Sequence, residues 1–362
     1  MQNISNRYSR QELFDPIGRA GQERLADKEV FIVGMGALGS VLANHLARAG
    51  VGSVSFADRD YVEFSNLHRQ MLFDEEDARE MVPKAAAAER RLKKMNAEVN
   101  IKGYITDVTH ENVLSLLHSS HIVLDGTDNL ETRFLLNDAA YKLGIPYIYG
   151  GAVSSRGMQA TFIPGITPCL RCIISPSSGT GETCDTTGVL SLAVDIAASY
   201  QTVEALKILT GNEKEVRKTL LTFDIWRNHR FEMKMKQKDD CVTCTKKDYP
   251  SLTGGGGPGI FTLCGRDTVQ IEGREPFDLS YWAKRLEHLG EVKKTPFLVR
   301  VQLEGKVYPR SLSGWTDPCA GNGRGAGSKS NLRKIYRKLI RTKRRLDKKL
   351  SNNTFVFCFM RL

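Results

Sequence analysis

The chain has 362 residues, 41% hydrophobic and 8% aromatic, which fits a globular protein with one large domain and a smaller one. No run of about eighteen apolar residues occurs, so no membrane span is expected, and Met1–Arg7 holds no apolar signal core, so a cytoplasmic location is expected. The net charge of +11 sits in residues 311–362, with 13 Lys+Arg against 2 Asp+Glu; residues 1–310 hold 39 of each, which removes the electrostatic case for nucleic acid at the core.

The first elements are Arg7-Tyr8-Ser9-Arg10-Gln11 and a short amphipathic run over residues 21–26. Val30 to Val33 reads as a buried strand, followed by Gly34-Met35-Gly36-Ala37-Leu38-Gly39 and a helix over 41–49. In such a turn Gly34 allows a tight bend, Gly36 allows backbone to approach a phosphate, and Gly39 lets helix pack on strand. The helix N-terminus offers N–H groups and a positive dipole end to an anion. Val54 to Ala57 is a second strand, and Asp58, 19 residues past Gly39, stands where an acid can accept bonds from ribose hydroxyls. These features indicate a nucleotide and do not choose between NAD and ATP.

Helical and strand patterns then alternate: a helix over 82–95, a strand over 99–104, part of a helix over 113–117, a strand over 122–125, a helix over 131–142 and a strand over 146–149. That predicts an α/β fold, a Rossmann-like, doubly wound and mostly parallel sheet. At Gly150-Gly151 the pattern changes, and a strand over 158–163, a long loop over 164–190, a buried helix over 192–209 and strands over 220–224 and 231–235 predict an antiparallel continuation. The predicted organisation is a domain over 1–250, a Gly-rich linker over 251–259, a small α+β appendage over 260–310 and a basic tail over 311–362.

Charged residues cluster at predicted strand ends, where open α/β sheets bind ligands. Asp58, Asp60, Asn66 and Arg69 follow the second strand, Asp128 and Asn129 follow the fourth, and Lys84 opens a helix. Arg69 and Lys84 can neutralise phosphate charge and Asp128 can hold Mg²⁺, a set suited to a triphosphate. An NAD-dependent oxidoreductase explains the glycine turn and Asp58 equally well, but leaves Arg69, Lys84 and Asp128 without a role.

Cys169-x-x-Cys172 and Cys241-x-x-Cys244 make a four-thiolate set, which suits a closed tetrahedral zinc site of structural type. Cys184 stands in a polar stretch of the long loop and is a candidate nucleophile.

Taken together, Arg7-Tyr8-Ser9-Arg10-Gln11, the Gly34–Gly39 turn, Asp58-x-Asp60, Ser65-Asn66-Leu67-x-Arg69-Gln70, Pro83-Lys84, Thr127-Asp128-Asn129, both Cys-x-x-Cys pairs and Thr183-Cys184 resemble the MoeB/ThiF/HesA adenylyltransferases over roughly residues 7–245. These are bacterial relatives of ubiquitin-activating enzymes. Residues 246–305, with Leu263-Cys264-Gly265-Arg266-Asp267-Thr268-Val269-Gln270, are similar to the extension of the longer Gram-positive-type members. His68 departs from the Gln more usual between Leu67 and Arg69.

The resemblance implies an ATP- and Mg²⁺-dependent enzyme that adenylylates the C-terminal glycine of a ubiquitin-like sulfur carrier. A sulfur donor such as a cysteine desulfurase or rhodanese would then complete a thiocarboxylate for thiazole or molybdopterin synthesis. It implies that Asp58 binds ribose, that Asn66, Arg69 and Lys84 contact phosphates, and that Asp128 holds Mg²⁺. It also implies a homodimer in which Arg10 reaches the neighbouring ATP, and a sulfur- or carrier-bonding role for Cys184. A catalytically inactive carrier-binding scaffold is the remaining alternative, and it would need a damaged ATP site.

The tail has two readings. One is a basic arm for nucleic acid or an acidic partner. The other is a frameshift near Lys306–Arg310. Codon degeneracy allows Leu312 to Arg337, read one nucleotide on, to encode FPDGRTLVQGTEEEQEAKAIYAKYIG, with a stop codon possible across Leu339 and Ile340. That peptide has a strand and an acidic helix, as relatives of this length tend to end. On the second reading residues after about 310 are non-native and largely disordered. Exposed Phe355 to Phe359 would then be an aggregation hazard.

Overall fold

Val30 to Val33 are 0–3% exposed, because strand β1 (Glu29–Val33) lies between two parallel neighbours with helices over both faces. A strand buried on both sides has no polar face to offer, which is why this run does not alternate. The computed structural model describes residues 7–175, 187–253, 260–262, 268–272, 279–287, 291–303 and 355–360. Cys184, the Gly254–Gly259 linker and the signature residues Leu263–Asp267 lie outside the described residues, as does the tail over 304–354. Contacts divide the chain into two units, residues 1–257 and 258–362.

In the first unit the strands are β1, β2 (Ser53–Ala57), β3 (Asn100–Tyr104), β4 (Ile122–Asp125), β5 (Tyr147–Val153), β6 (Arg156–Phe162), β7 (Thr219–Asp224) and β8 (His229–Lys234). They form one sheet in the order β3-β2-β1-β4-β5-β6-β7-β8. The first five are parallel and the last three continue antiparallel, as expected. Gly150-Gly151 does not end a strand. β5 runs through both glycines to Val153, and the turn to β6 follows. Gln201 explains Gly150: a side-chain carbon there would fall 2.2 Å from the Gln201 amide.

The helices are α1 (Ser9–Glu12), α2 (Gly18–Ala26), α3 (Ala37–Ala49), α4 (Glu75–Arg79), α5 (Lys84–Met95), α6 (Val113–Leu117), α7 (Leu130–Leu143), α8 (Leu170–Ile173) and α9 (Ser191–Leu209). Helix α4 precedes Lys84, carries Glu75, Glu76 and Asp77 in its first turn, and starts in a capping box between Asp74 and Asp77. Helix α9 is buried on one face only; Leu192, Ile196 and Val203 are exposed on the other.

The second unit has β9 (Ile260–Thr262), β10 (Thr268–Glu272), α10 (Leu279–Leu286), β11 (Glu291–Lys294), β12 (Leu298–Leu303) and β13 (Phe355–Met360). β9 and β10 pair antiparallel. The sheet order is β11-β12-β13-β10-β9. Phe355 to Met360 thus pair on both sides, parallel to β10 and antiparallel to β12. Among the described residues, no helix is long and apolar enough to cross a membrane.

Candidate active site at the strand ends

Register sets the level of the site. Val33 stands opposite Ala57 on one side and Asp125 on the other, so β1, β2 and β4 end together. Strand order reverses between β1 and β4, and such a reversal opens a ligand crevice beyond the carboxyl ends. The residues next in sequence, Gly34, Asp58 and Gly126, therefore meet at one edge.

The glycine turn is tight for a visible reason. Gly34 has φ +87°, and a side chain on Gly39 would begin 1.9 Å from the Gly34 carbonyl oxygen. Gly36 is the N-cap of α3 and supplies no side-chain cap, so Ala37 and Leu38 open the helix with their N–H groups uncapped by any side chain. An anion placed there meets both N–H donors and the helix dipole.

Asp58 ties the turn to the neighbouring strand. Its Oδ2 accepts the Met35 N–H at 2.6 Å and its Oδ1 accepts the Asp60 N–H at 2.6 Å. Burial pushes its carboxyl above the ordinary range, while the Lys84 ammonium and both N–H groups pull it back. Lys84 is 4% exposed, opens α5 after Pro83, and places Nζ 3.1 Å from Asp60 Oδ2. Its backbone N–H donates to the Asp60 carbonyl at 2.8 Å, and Tyr61 bridges to Pro83, so Asp60 and Lys84 are held by main chain as well. A buried ammonium beside two carboxylates forms a strong local charge centre, ready to be shared with a polyphosphate.

The remaining predicted residues fall into three groups. Asn66 is 1% exposed, and its Oδ1 accepts the Glu63 N–H at 3.1 Å. Arg69 is half-buried, with Nη1 on the Ser65 carbonyl at 2.7 Å. Asp128 is exposed just past β4, and Asn129 caps α7 by accepting the Thr132 N–H at 2.9 Å.

Arg10 is exposed and is not brought to the site of its own chain. Gln11 Nε2 donates to the Ala49 carbonyl at 2.9 Å, which anchors α1 at the far end of α3. The 13 residues of α3 put that end about 20 Å from the glycine turn.

Two features were given no role from the sequence. Gln70 is 4% exposed, and its amide lies 3.9 Å from where a side chain on Gly36 would begin. Below the site, fully buried Asp125 accepts from Tyr147 Oη at 2.6 Å, Thr127 Oγ1 at 2.7 Å and the Thr127 N–H at 2.8 Å, with Arg133 Nε at 3.4 Å. The only sequence signal was an arginine within the first turn of α7.

The cysteines of both pairs meet beside α7, with Tyr141 packed against them. Sγ atoms stand 3.5 Å apart for Cys169 and Cys241, 3.4 Å for Cys172 and Cys244, and 3.9 Å for Cys169 and Cys172; all four lie within 4.8 Å. A tetrahedron with metal–sulfur bonds of about 2.3 Å has edges of about 3.8 Å, so the donor set fits a metal ion. Burial pushes the Cys169 thiol up, and burial with the neighbouring thiols pushes Cys244 up to about 11. Burial acts on Cys241 as well, but donors from Cys244, Cys169 and Thr243 bring it down to about 7.

Residues 8–244 match the ThiF family. The chain belongs to the ThiF family. This ThiF-family chain is 47% identical over 301 residues to the sulfur carrier protein ThiS adenylyltransferase of Bacillus subtilis, covering 82% of this chain and 89% of the relative. It is 37% identical over 246 residues to the sulfur carrier protein adenylyltransferase of Thermus thermophilus, covering 66% and 90%. Its fold is similar to that of E. coli MccB solved with ATP, at TM-score 0.58 and 21% identity, over 67% of this chain and 75% of that one. Membership in the ThiF family sets the nicotinamide reading of the glycine turn aside.

Proposed function

We propose that this protein adenylylates the C-terminal carboxylate of a small ubiquitin-like sulfur carrier of ThiS or MoaD type, using ATP. The observation that carries the reading is buried Lys84, paired with Asp60 beside Asp58 and the open N-terminus of α3. Similarity to the Bacillus ThiS adenylyltransferase supports the carrier class and favours thiazole over molybdopterin synthesis.

In this reaction a carboxylate oxygen of the carrier attacks the α-phosphorus of ATP. The bond from that phosphorus to the bridging oxygen breaks, pyrophosphate leaves, and an acyl–AMP anhydride remains. Both reactants are anions, so the barrier falls mainly through positive charge and positioning. Lys84, Arg69 and the N–H groups of α3 would hold phosphate oxygens, Asp58 the ribose, and Asn66 the polyphosphate flank. Asp128, exposed and close to the end of β4, would hold Mg²⁺, which supplies further charge neutralisation when bound.

Arg10 would act on the ATP of a second copy, since α1 is anchored too far from its own turn. The exposed stripe Leu192, Ile196 and Val203, with exposed Leu13 and Phe14, supports such an apolar homodimer contact. The carrier would use the β8 edge, where Phe231 and Met233 are 63% and 58% exposed. Cys184 would take part in the later sulfur step with a sulfur donor such as a cysteine desulfurase or rhodanese. Zinc is the ion that the closed four-thiolate set suits, in a structural role.

Carrier-dependent exchange of labelled pyrophosphate into ATP tests the reading. Exchange should appear with a ThiS-type carrier ending in Gly-Gly and vanish when that terminus is removed. Absence of exchange with both ThiS- and MoaD-type carriers would overturn it.

A further inference from the structure

We propose that Asp138 is a positioning residue for the four-cysteine site: one buried carboxylate clamps the two cysteine hairpins together and slows loss of the ion. The clamp rests on the reading that these cysteines hold zinc.

Asp138 lies on α7 and is fully buried, yet it is not a ligand. Its Oδ1 accepts Arg171 Nε at 2.9 Å and its Oδ2 accepts Arg171 Nη2 at 2.8 Å. Arg171 lies between Cys169 and Cys172. Oδ1 also accepts Thr243 Oγ1 at 2.8 Å, and Thr243 lies between Cys241 and Cys244. Oδ2 further accepts the Ser251 N–H at 3.0 Å, which fixes the chain just past the second hairpin. The residue inside each Cys-x-x-Cys loop is therefore tied to the same carboxylate.

The two hairpins are 72 residues apart in sequence, so bringing them together carries a loop-closure cost whether or not an ion is bound. A clamp outside the ligand shell meets that cost before the metal arrives. It also keeps a departed thiolate close, so that a broken metal–sulfur bond re-forms before a second one opens. Asn137 strengthens the same anchorage by accepting the Leu170 N–H at 2.8 Å, directly after Cys169. Partners outside the ligand shell typically change metal affinity by about 10–100-fold when removed.

Zinc release from the full-length protein to the chromogenic chelator 4-(2-pyridylazo)resorcinol tests this. Asp138→Asn should release zinc about 10-fold faster or more. Thr243→Val removes one bond without stranding a buried charge, and should release it a few-fold faster. Arg171→Gln combined with Asp138→Asn should be no faster than Asp138→Asn alone, because both break one pair. Cobalt-loaded Thr243→Val should keep the tetrahedral visible bands of the wild type, which separates faster release from a rebuilt site.

If Asp138→Asn does not fold, Thr243→Val decides the matter. Release at the wild-type rate from a zinc-loaded Thr243→Val protein would overturn the clamp while leaving the zinc reading intact. Wild-type protein that carries no zinc and takes up no cobalt would remove the zinc reading and the clamp with it.

Discussion

Asp58 Oδ2 lies 2.6 Å from the Met35 backbone nitrogen, so the acid that ends β2 holds the glycine turn that ends β1. The second oxygen holds the Asp60 N–H, and Asp60 holds Lys84. One carboxylate thus fixes the glycine turn and, through Asp60, the buried ammonium. Its role in shaping that turn is separate from any bond it would make to ribose.

Asp58→Ala should therefore damage the site before nucleotide is added. Two charge-assisted bonds are lost, each worth about 1.5–3 kcal/mol. We expect ATP affinity, read by calorimetry, to fall by about 10–100-fold. Asp58→Asn keeps an acceptor for one N–H and should fall between Asp58→Ala and the wild type. Unchanged ATP affinity in both variants would remove Asp58 from the nucleotide site.

Arg10 and Lys84 should complement each other across a dimer. Arg10→Ala and Lys84→Ala are each expected to lose carrier-dependent pyrophosphate exchange by about 100-fold or more. After unfolding and refolding together, the mixture should recover about one quarter of wild-type exchange, since half the dimers are mixed and each has one complete site. No recovery from a mixture shown to contain mixed dimers would place Arg10 outside the catalytic machinery.

Metal removal should act on the fold more than on chemistry. One zinc per chain is expected by elemental analysis. Stripping it with a chelator at neutral pH should lower Tm by several degrees, because an ion held by all four thiolates would join α8 to the segment after β8. A Tm that does not change on verified removal would mean that the hairpins stand without an ion.

The tail is decided by DNA. We expect the gene to carry a one-nucleotide shift near the codons for Lys306–Arg310, so that the restored frame reads FPDGRTLVQGTEEEQEAKAIYAKYIG and stops soon after. In the present chain the slot between β10 and β12 is filled by Phe355–Met360. The restored peptide would place the strand-forming stretch TLVQ at positions 317–320, the next strand-like run after β12. Coding DNA that cannot spell the peptide ends this reading, and the basic arm then stands.

Local chemistry explains what was legible without coordinates. The glycine turn, the acid after the second strand and the alternation of β and α patterns are written within about thirty residues each, and all recur in the structure. Paired cysteines announce themselves by spacing, and they do meet. Hairpin geometry was not legible in the same way. Gly150-Gly151 reads as a break, yet it lies inside β5, where Gly150 makes room for Gln201 from a helix some fifty residues away. Helix α9 reads as buried throughout, but packing covers only one of its faces.

The amino-acid sequence by itself determined the family, the glycine turn and the two cysteine pairs, because each depends on residue types at short, fixed spacing. Only the tertiary structure decided that Lys84 is buried against Asp60, that Arg10 stands at the wrong end of α3 for its own site, and that Asp138 joins both cysteine hairpins. Those relationships depend on which strands and helices pack together over long separations. Register and burial settle that, and neither is visible in a short window of sequence.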